Sequence, residues 1–208
     1  MVADGAIHVK NHDPGVIKNI VAALQEADFV GALFTKGANP GDMKGWVDGT
    51  ISFEAIHWDH PERAADILVD MDWDDSTNEY GYAGTSRYVG PAGHGGLTPY
   101  EVHIAWIASG PDFKKQKETK LPTSNIDIVP TVLHLHNVPV PDQMDGRVAY
   151  EMLNRNVPSP APKKPKKDKV VTRVDAPWGT YKLTLHRTVL GKYTYIDFAK
   201  AERTRPNR

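Results

Sequence analysis

A strand, a helix and a second strand within the first 35 residues limit the fold of this 208-residue chain more than any other feature. Residues 6–10 are typical of a short strand, and Asp13 followed by Pro14 is typical of a helix N-cap with proline at the first helical position. Apolar residues then recur at helical spacing, and residues 29–34 form an apolar run typical of a buried strand. This is the size of one βαβ unit. We therefore expect an α/β fold with a mixed or mostly parallel sheet flanked by helices.

The rest of the first 155 residues carries further strand and helix signals. Residues 74–99 are rich in Gly, Ser, Thr and Tyr without periodicity, which predicts a long loop of the kind that often serves function. Asn125 is predicted to cap a helix. Three runs are typical of strands, the last most strongly: residues 49–56, 65–73 and 102–108.

The segment VPSPAPKKPKKDK, at residues 157–169, divides the chain, because spaced prolines and lysines favour an extended linker. The net charge of the chain also changes from acidic to basic just before this segment. Residues 151–208 hold 14 Lys and Arg against 5 Asp and Glu, whereas residues 1–150 hold 11 against 21. We predict an α/β body at 1–155, a linker at 156–169 and a β-hairpin appendage at 170–208. Lysines without interleaved aromatic residues argue against specific nucleic-acid recognition.

Composition excludes several classes of protein. The chain has no cysteine, so disulfides, thiolate metal sites and a cysteine nucleophile are excluded. No stretch approaches the roughly 18 apolar residues of a membrane-spanning helix. The first residues lack a basic region followed by an apolar one, so we expect no signal peptide within this sequence.

His94 is the histidine best placed for function. It lies in Gly93-His94-Gly95-Gly96, directly before a strand-like run. Glycines let a backbone approach a ligand closely, and α/β folds collect their sites at such sheet edges. We therefore take His94 as a candidate functional residue.

Motifs further along the chain extend this observation. They are Gly110-Pro111-Asp112-Phe113, Asn125-Ile126-Asp127 with Pro130-Thr131, and Asp145-Gly146-Arg147. Together with the His94 motif, in this order and spacing, they resemble the C-terminal part of the alkaline phosphatase superfamily, in particular the type I phosphodiesterase/nucleotide pyrophosphatase enzymes. The resemblance covers about residues 5–155.

The resemblance implies a metal-dependent phosphoester hydrolase with a small-molecule ester substrate. Its two-metal site is usually zinc, with calcium or manganese as alternatives. His94 matches the last metal ligand of these enzymes, which are commonly exported. Asp127 and Pro130 match a structural helix start, and Asp145-Gly146 matches a structural turn.

The superfamily's nucleophile and its other metal-binding motifs lie upstream of the matched region and have no counterpart here. We therefore expect a chain that resembles the C-terminal half of such an enzyme, without its nucleophile half, and no catalytic residue is predicted. Acting alone, such a chain would depend on a metal-bound hydroxide. With a complementing chain, the full chemistry could be rebuilt.

Two other functions stay open. Ala55-Ile56-His57-Trp58-Asp59-His60 is similar to the His-x-His-x-Asp-His motif of metallo-β-lactamase-type hydrolases, with Ala55 in place of the first histidine. With His94 it could supply the ligands of a metal-dependent lactonase or carboxyl-ester hydrolase. The other reading is a non-catalytic binding or assembly module, forming a homo-oligomer or pairing with a complementing chain across an exposed sheet edge.

The last candidate for a metal site is an acidic run. Asp70, Asp72, Asp74 and Asp75 lack the regular oxygen spacing and glycine turn of a calcium loop. We expect a solvated acidic edge with weak Ca²⁺ binding at most.

Overall fold

The computed structural model describes residues 2–3, 5–87, 95–154 and 164–206. The strands are β1 (Val2–Ala3), β2 (Ala6–Ile7), β3 (Val30–Thr35), β4 (Ile51–Ser52), β5 (Ile67–Met71), β6 (Trp73–Thr77), β7 (Ala83–Ser86), β8 (Lys166–Ala176), β9 (Gly179–Leu190) and β10 (Tyr193–Thr204). The α-helices are α1 (Pro14–Glu26), α2 (Pro99–Val102) and α3 (Ile128–Leu135). Within the described ranges, none of these helices is long and apolar enough to cross a membrane.

Helix α1 begins at the residue that the sequence predicts. The Asp13 carboxylate accepts hydrogen bonds from the backbone N–H groups of Gly15 at 2.8 Å and Val16 at 3.0 Å. These bonds satisfy two donors that the first turn of a helix leaves open, and Pro14 at the first position has no N–H to satisfy. The buried face of the helix consists of Ile17, Val21 and Gln25.

The N-terminal sheet is mixed, as predicted. Its strand order is β1-β2-β5-β3-β4, with β3 and β4 parallel and the other pairs antiparallel. Strands β2 and β3 are both antiparallel to β5, which lies between them, so they run parallel to each other as a βαβ unit requires. All six residues of β3 are buried, which fits a strand inside a sheet.

The chain divides into two compact units. Unit 1 comprises Met1–His103, Lys169–His186 and Asp197–Arg208, and unit 2 comprises Ile104–Asp168 and Arg187–Ile196. The predicted boundaries at residues 155 and 169 stay predictions, and residues 155–163 lie outside the described part of the chain.

Strands β8, β9 and β10 form a three-stranded antiparallel sheet, which confirms the three strands expected near residues 170–174, 180–187 and 192–198. Strand β8 begins at Lys166, inside the segment predicted as a linker. Within unit 1, the Tyr181 hydroxyl donates a hydrogen bond to the Gly31 carbonyl at 2.7 Å, and the Thr172 hydroxyl donates one to the Gly49 carbonyl at 2.8 Å. These buried polar groups are therefore satisfied.

The predicted loop at residues 74–99 is wrong in its first half, which forms the hairpin β6–β7. The side-chain oxygen of Asn78 accepts hydrogen bonds from the backbone N–H groups of Tyr80 and Tyr82, both at 3.0 Å, and so holds the turn. The strands are short and largely polar, so they lack the apolar alternation from which a strand is predicted.

The predicted strand at residues 102–108 is also wrong. Residues 99–102 form α2, and residues 103–108 belong to no strand or helix. A strand needs a hydrogen-bonded neighbour, and no strand in the described ranges pairs with this run. Two of its large apolar side chains are exposed instead, Ile104 by 64% and Ile107 by 89%.

Candidate functional site

His94, the predicted metal ligand, lies outside the described residues, but the segment that follows it is described. The backbone N–H of Leu97 donates a hydrogen bond to the Asp70 carboxylate of β5 at 3.1 Å. The Thr98 side chain then accepts one from the Glu101 N–H at 3.2 Å and so caps α2. The residues immediately after His94 are therefore anchored to the sheet and to a capped turn of helix.

Gly96 brings a carboxylate close to the same segment. A Cβ atom at this position would collide with the carboxylate of Glu101. The absence of a side chain at Gly96 leaves room for the Glu101 carboxylate in this position. Asp70 and Glu101 thus lie next to residues 96 and 97, two to three positions after the predicted ligand.

Among the described acidic residues, Asp70 has the most strongly raised pKa. Burial raises the pKa of Asp70 from 3.8 to about 6, against the lowering effect of the Leu97 N–H, and the negative charge of Glu101 adds to the rise. Carboxyl groups with such pKa values often belong to functional sites. Sequence analysis missed this property, because the acidic run was interpreted as solvated.

The other carboxylates of the acidic run do not converge on one point. Each contacts a different partner: Lys200 for Asp72 (3.3 Å), Arg87 for Asp74 (3.5 Å) and the Tyr100 hydroxyl for Asp75 (2.9 Å). Among the described residues, no three His, Cys, Asp or Glu side chains form a group that could hold a metal ion. Calcium binding by this run stays a prediction.

The described residues of the second predicted cluster, His57, Asp59 and His60, do not form a group that could hold a metal ion. His57 ends a short 3-10 helix (Phe53–Ile56) in a left-handed conformation, with φ at 56°. Nδ1 of His60 faces the backbone N–H groups of Glu62 and Arg63, both at 3.2 Å, and its Nε2 lies 3.0 Å from the Arg63 guanidinium.

This arrangement does not fit a metal centre formed by His57, Asp59 and His60 alone. Backbone donors already face one ring nitrogen of His60, and a guanidinium beside the other would repel a metal cation. The four-residue cluster with His94 reaches beyond the described residues and stays a prediction.

Unit 2 holds a buried polar network around Asp127, a residue predicted to be structural. Its carboxylate accepts hydrogen bonds from the backbone N–H groups of Arg147 at 2.7 Å and Ser124 at 3.1 Å, and from the Tyr195 hydroxyl at 3.1 Å. Burial nevertheless raises the pKa of Asp127 above its usual value. The bond to Ser124 forms part of a capping box, which agrees with the predicted role at a helix start.

Arg147 extends this network. Its guanidinium forms two bonds to the Glu151 carboxylate, at 2.6 and 2.9 Å, and a third to the Tyr195 hydroxyl at 3.0 Å. The neighbouring Gly146 lies against the Ile126 carbonyl, where a Cβ atom would collide. The Asp145-Gly146-Arg147 motif therefore places a buried cation in unit 2, a role that the sequence did not reveal.

Comparisons with known proteins give one short similarity. No family model matches the chain, and no solved structure matches it. The sulfatase ppz1 of Metarhizium majus (strain ARSEF 297) is 36% identical in an alignment of 64 residues, and the match covers 27% of this chain and 15% of the sulfatase. The match thus spans a small part of that protein. It partly supports the resemblance to the alkaline phosphatase superfamily, to which sulfatases belong, and suggests a hydrolase.

Proposed function

We propose that this chain is part of a metal-dependent ester hydrolase of the alkaline phosphatase superfamily, with an ester of phosphoric or sulfuric acid as its substrate. The observation that carries the proposal is the similarity to a sulfatase. It agrees with the order of the motifs between residues 93 and 147, on which the resemblance depends.

In this proposal His94 is a metal ligand, and zinc is the expected metal, with calcium and manganese as alternatives. A bound divalent metal would polarise the ester and stabilise the charge that develops on its oxygens. Asp70 and Glu101 hold the segment after His94, because one accepts the Leu97 N–H and the other lies over Gly96. Their role is positional.

The lactonase alternative has less support than the phosphate or sulfate ester hydrolase. It needs His60 as a ligand, and both ring nitrogens of that residue face hydrogen-bond donors. A non-catalytic module remains the outcome to expect if neither metal binding nor hydrolysis is found.

Hydrolysis assays with three substrate classes test the proposal. The chain is supplied with Zn²⁺, Mn²⁺ or Ca²⁺ and given an aryl sulfate, an aryl phosphodiester or a lactone. We expect metal-dependent hydrolysis of the sulfate or the phosphodiester, because these esters develop charge that a divalent cation stabilises.

Two histidine variants test whether the rate depends on His94, one at that position and one as a control. His94→Ala should abolish the metal-dependent rate, whereas His136→Ala, at an exposed position that ends α3, should leave it unchanged. Hydrolysis of the lactone alone would favour the alternative. No hydrolysis of any ester with any of the three metals would contradict the proposal.

A further inference from the structure

His12 and Asp66 form a hydrogen-bonded pair that the proposed hydrolase site does not use. Nδ1 of His12 lies 2.8 Å from one carboxylate oxygen of Asp66, and the other oxygen accepts the Val9 N–H at 2.6 Å. The Asp66 side chain is only 10% exposed, whereas that of His12 is 78% exposed. A largely buried carboxylate therefore orients an imidazole that is open to solvent.

The pair lies at the carboxyl end of β2. The chain passes from β2 through residues 8–13 into α1, and Asp66 comes directly before the antiparallel neighbour β5, so both side chains belong to one edge of the sheet. α/β folds place their ligand sites at this edge. Asn11 and His12 both have left-handed backbones, with φ at 58° and 52°. Residues other than glycine rarely adopt this conformation, and it is concentrated at functional sites.

The Asp66 contact decides which nitrogen of the His12 ring can react. An ionised carboxylate only accepts hydrogen bonds, so Nδ1 carries the proton and the lone pair of the neutral ring is on Nε2. In the described part of the chain, Nε2 of His12 has no hydrogen-bond partner. By contrast, both ring nitrogens of His60 face hydrogen-bond donors, and Nε2 of His134 is buried. His12 thus combines an open nitrogen with a carboxylate behind the ring, as activated histidines do.

We propose that His12 is the nucleophile of a second, metal-independent reaction centre, which transfers the acyl group of an uncharged carboxyl ester to water. Asp66 is a positioning residue in this centre. It fixes the tautomer and the orientation of the ring, and it stabilises the positive charge that the ring gains during the attack.

The charges around His12 favour an uncharged ester over a phosphate or sulfate ester. The charged side chains in this turn and against it are Lys10, Asp13 and Asp66, which are two carboxylates and one ammonium group. An anionic ester would approach against this excess of negative charge, whereas an uncharged ester meets no such repulsion.

The reaction has two steps. Nε2 of His12 attacks the carbonyl carbon of an aryl ester, an N–C bond forms, and the C–O bond to the aryl group breaks, so that a phenolate leaves. Water then adds to the acyl carbon and the N–C bond breaks. One proton of the water goes to the phenolate, and the other stays on the carboxylic acid. The ring returns to its neutral form without a metal, so this inference is independent of the proposed hydrolase activity.

Hydrolysis of p-nitrophenyl acetate by the full chain in the presence of EDTA tests the proposal. We expect repeated turnover, and His12→Ala should lower the rate by at least about tenfold, because the nucleophile is lost. His136→Ala removes an exposed histidine that ends α3 and should leave the rate unchanged. p-Nitrophenyl sulfate should not be hydrolysed in EDTA, which separates this activity from the metal-dependent one.

Asp66→Asn and the acetylated intermediate test the pair itself. Asparagine keeps the size of the side chain and an oxygen for the Val9 N–H, but it has no charge to stabilise the ring cation. We therefore expect kcat for the acetate to fall while KM changes little. Mass spectrometry after rapid quenching should find the acetyl group of the wild type on His12, a readout that needs no variant.

Four results would each overturn the proposal. They are an absence of turnover, equal rates for the wild type and His12→Ala, an unchanged kcat in Asp66→Asn, and acetylation of other residues without His12. None of these results depends on whether the chain hydrolyses anionic esters with a metal.

Discussion

The two units of this chain are stabilised in different ways. Of the 24 buried hydrophobic residues in the described part, 19 belong to unit 1 and 5 to unit 2. Unit 2 nevertheless has six of the eleven exposed large hydrophobic residues: Ile104, Ile107, Ile128, Val129, Val132 and Val138. Unit 1 therefore has an ordinary apolar core, whereas unit 2 has little apolar burial and a buried network around Arg147.

This difference indicates which kind of substitution should destabilise each unit. Apolar burial is spread over many side chains, so unit 1 depends on volume and packing. A buried ion pair is less robust, because removing one partner leaves an uncompensated charge in the interior. Unit 2 should accordingly depend on a few polar residues.

The largest expected effect concerns the core of unit 1. Phe34 in β3 is fully buried, so Phe34→Ala should lower the free energy of unfolding by about 3–5 kcal/mol, through lost burial and the cavity left behind. Chemical denaturation measures this change. The matched control is Phe29→Ala, since Phe29 is 56% exposed. Equal losses for the two variants would contradict the picture of a packed core.

Arg147→Ala tests unit 2. It leaves Glu151 and Asp127 without their cation, and we expect a loss of about 3 kcal/mol. Hydrogen exchange should show the loss of protection mainly at the amides of unit 2. Arg173→Ala removes an exposed ion pair with Asp175 and should change stability by no more than about 0.5 kcal/mol. Equal loss of protection in both units would show that they do not differ as described.

A smaller effect concerns Asp70, an acidic group in the apolar unit. Its pKa is raised in the folded state, so the stability that protonated Asp70 contributes is complete below about pH 4 and is lost as the pH rises through about 6. Asp70→Asn keeps an oxygen for the Leu97 N–H. It should be more stable than the wild type at pH 7 by on the order of 2 kcal/mol and equally stable at pH 3. A constant difference across this range would contradict the raised pKa.

Local signals were sufficient to predict part of the fold. The start of α1 depends on Asp13 and Pro14, which act on backbone groups within three residues, so the sequence reveals it. The mixed sheet follows from apolar runs such as residues 29–34, of which all but Phe29 fall in the buried strand β3. These features need no information about distant parts of the chain.

Features that depend on distant partners were not predicted. Arg147 and Tyr195 are 48 residues apart, and the alignment of their side chains cannot be inferred from either neighbourhood. The error at residues 102–108 has a related cause. The sequence indicates that a segment favours a strand, but pairing also requires a neighbour, and none is present among the described strands.

The candidate site shows the same limit. His57, Asp59 and His60 are close in sequence, yet they form no metal-binding group among the described residues, and the Arg63 guanidinium lies beside His60. Asp70 accepts a hydrogen bond from Leu97, which is 27 residues away. Proximity in sequence was therefore a poor guide to proximity in space.

Zinc binding at equilibrium, measured by dialysis and metal analysis, tests the assignment of His94 most directly. Wild-type protein and His136→Ala should retain zinc, and His94→Ala should bind it at least about tenfold more weakly, because one ligand is lost. Equal zinc binding by all three proteins, or none by the wild type, would contradict a metal-dependent hydrolase that uses His94.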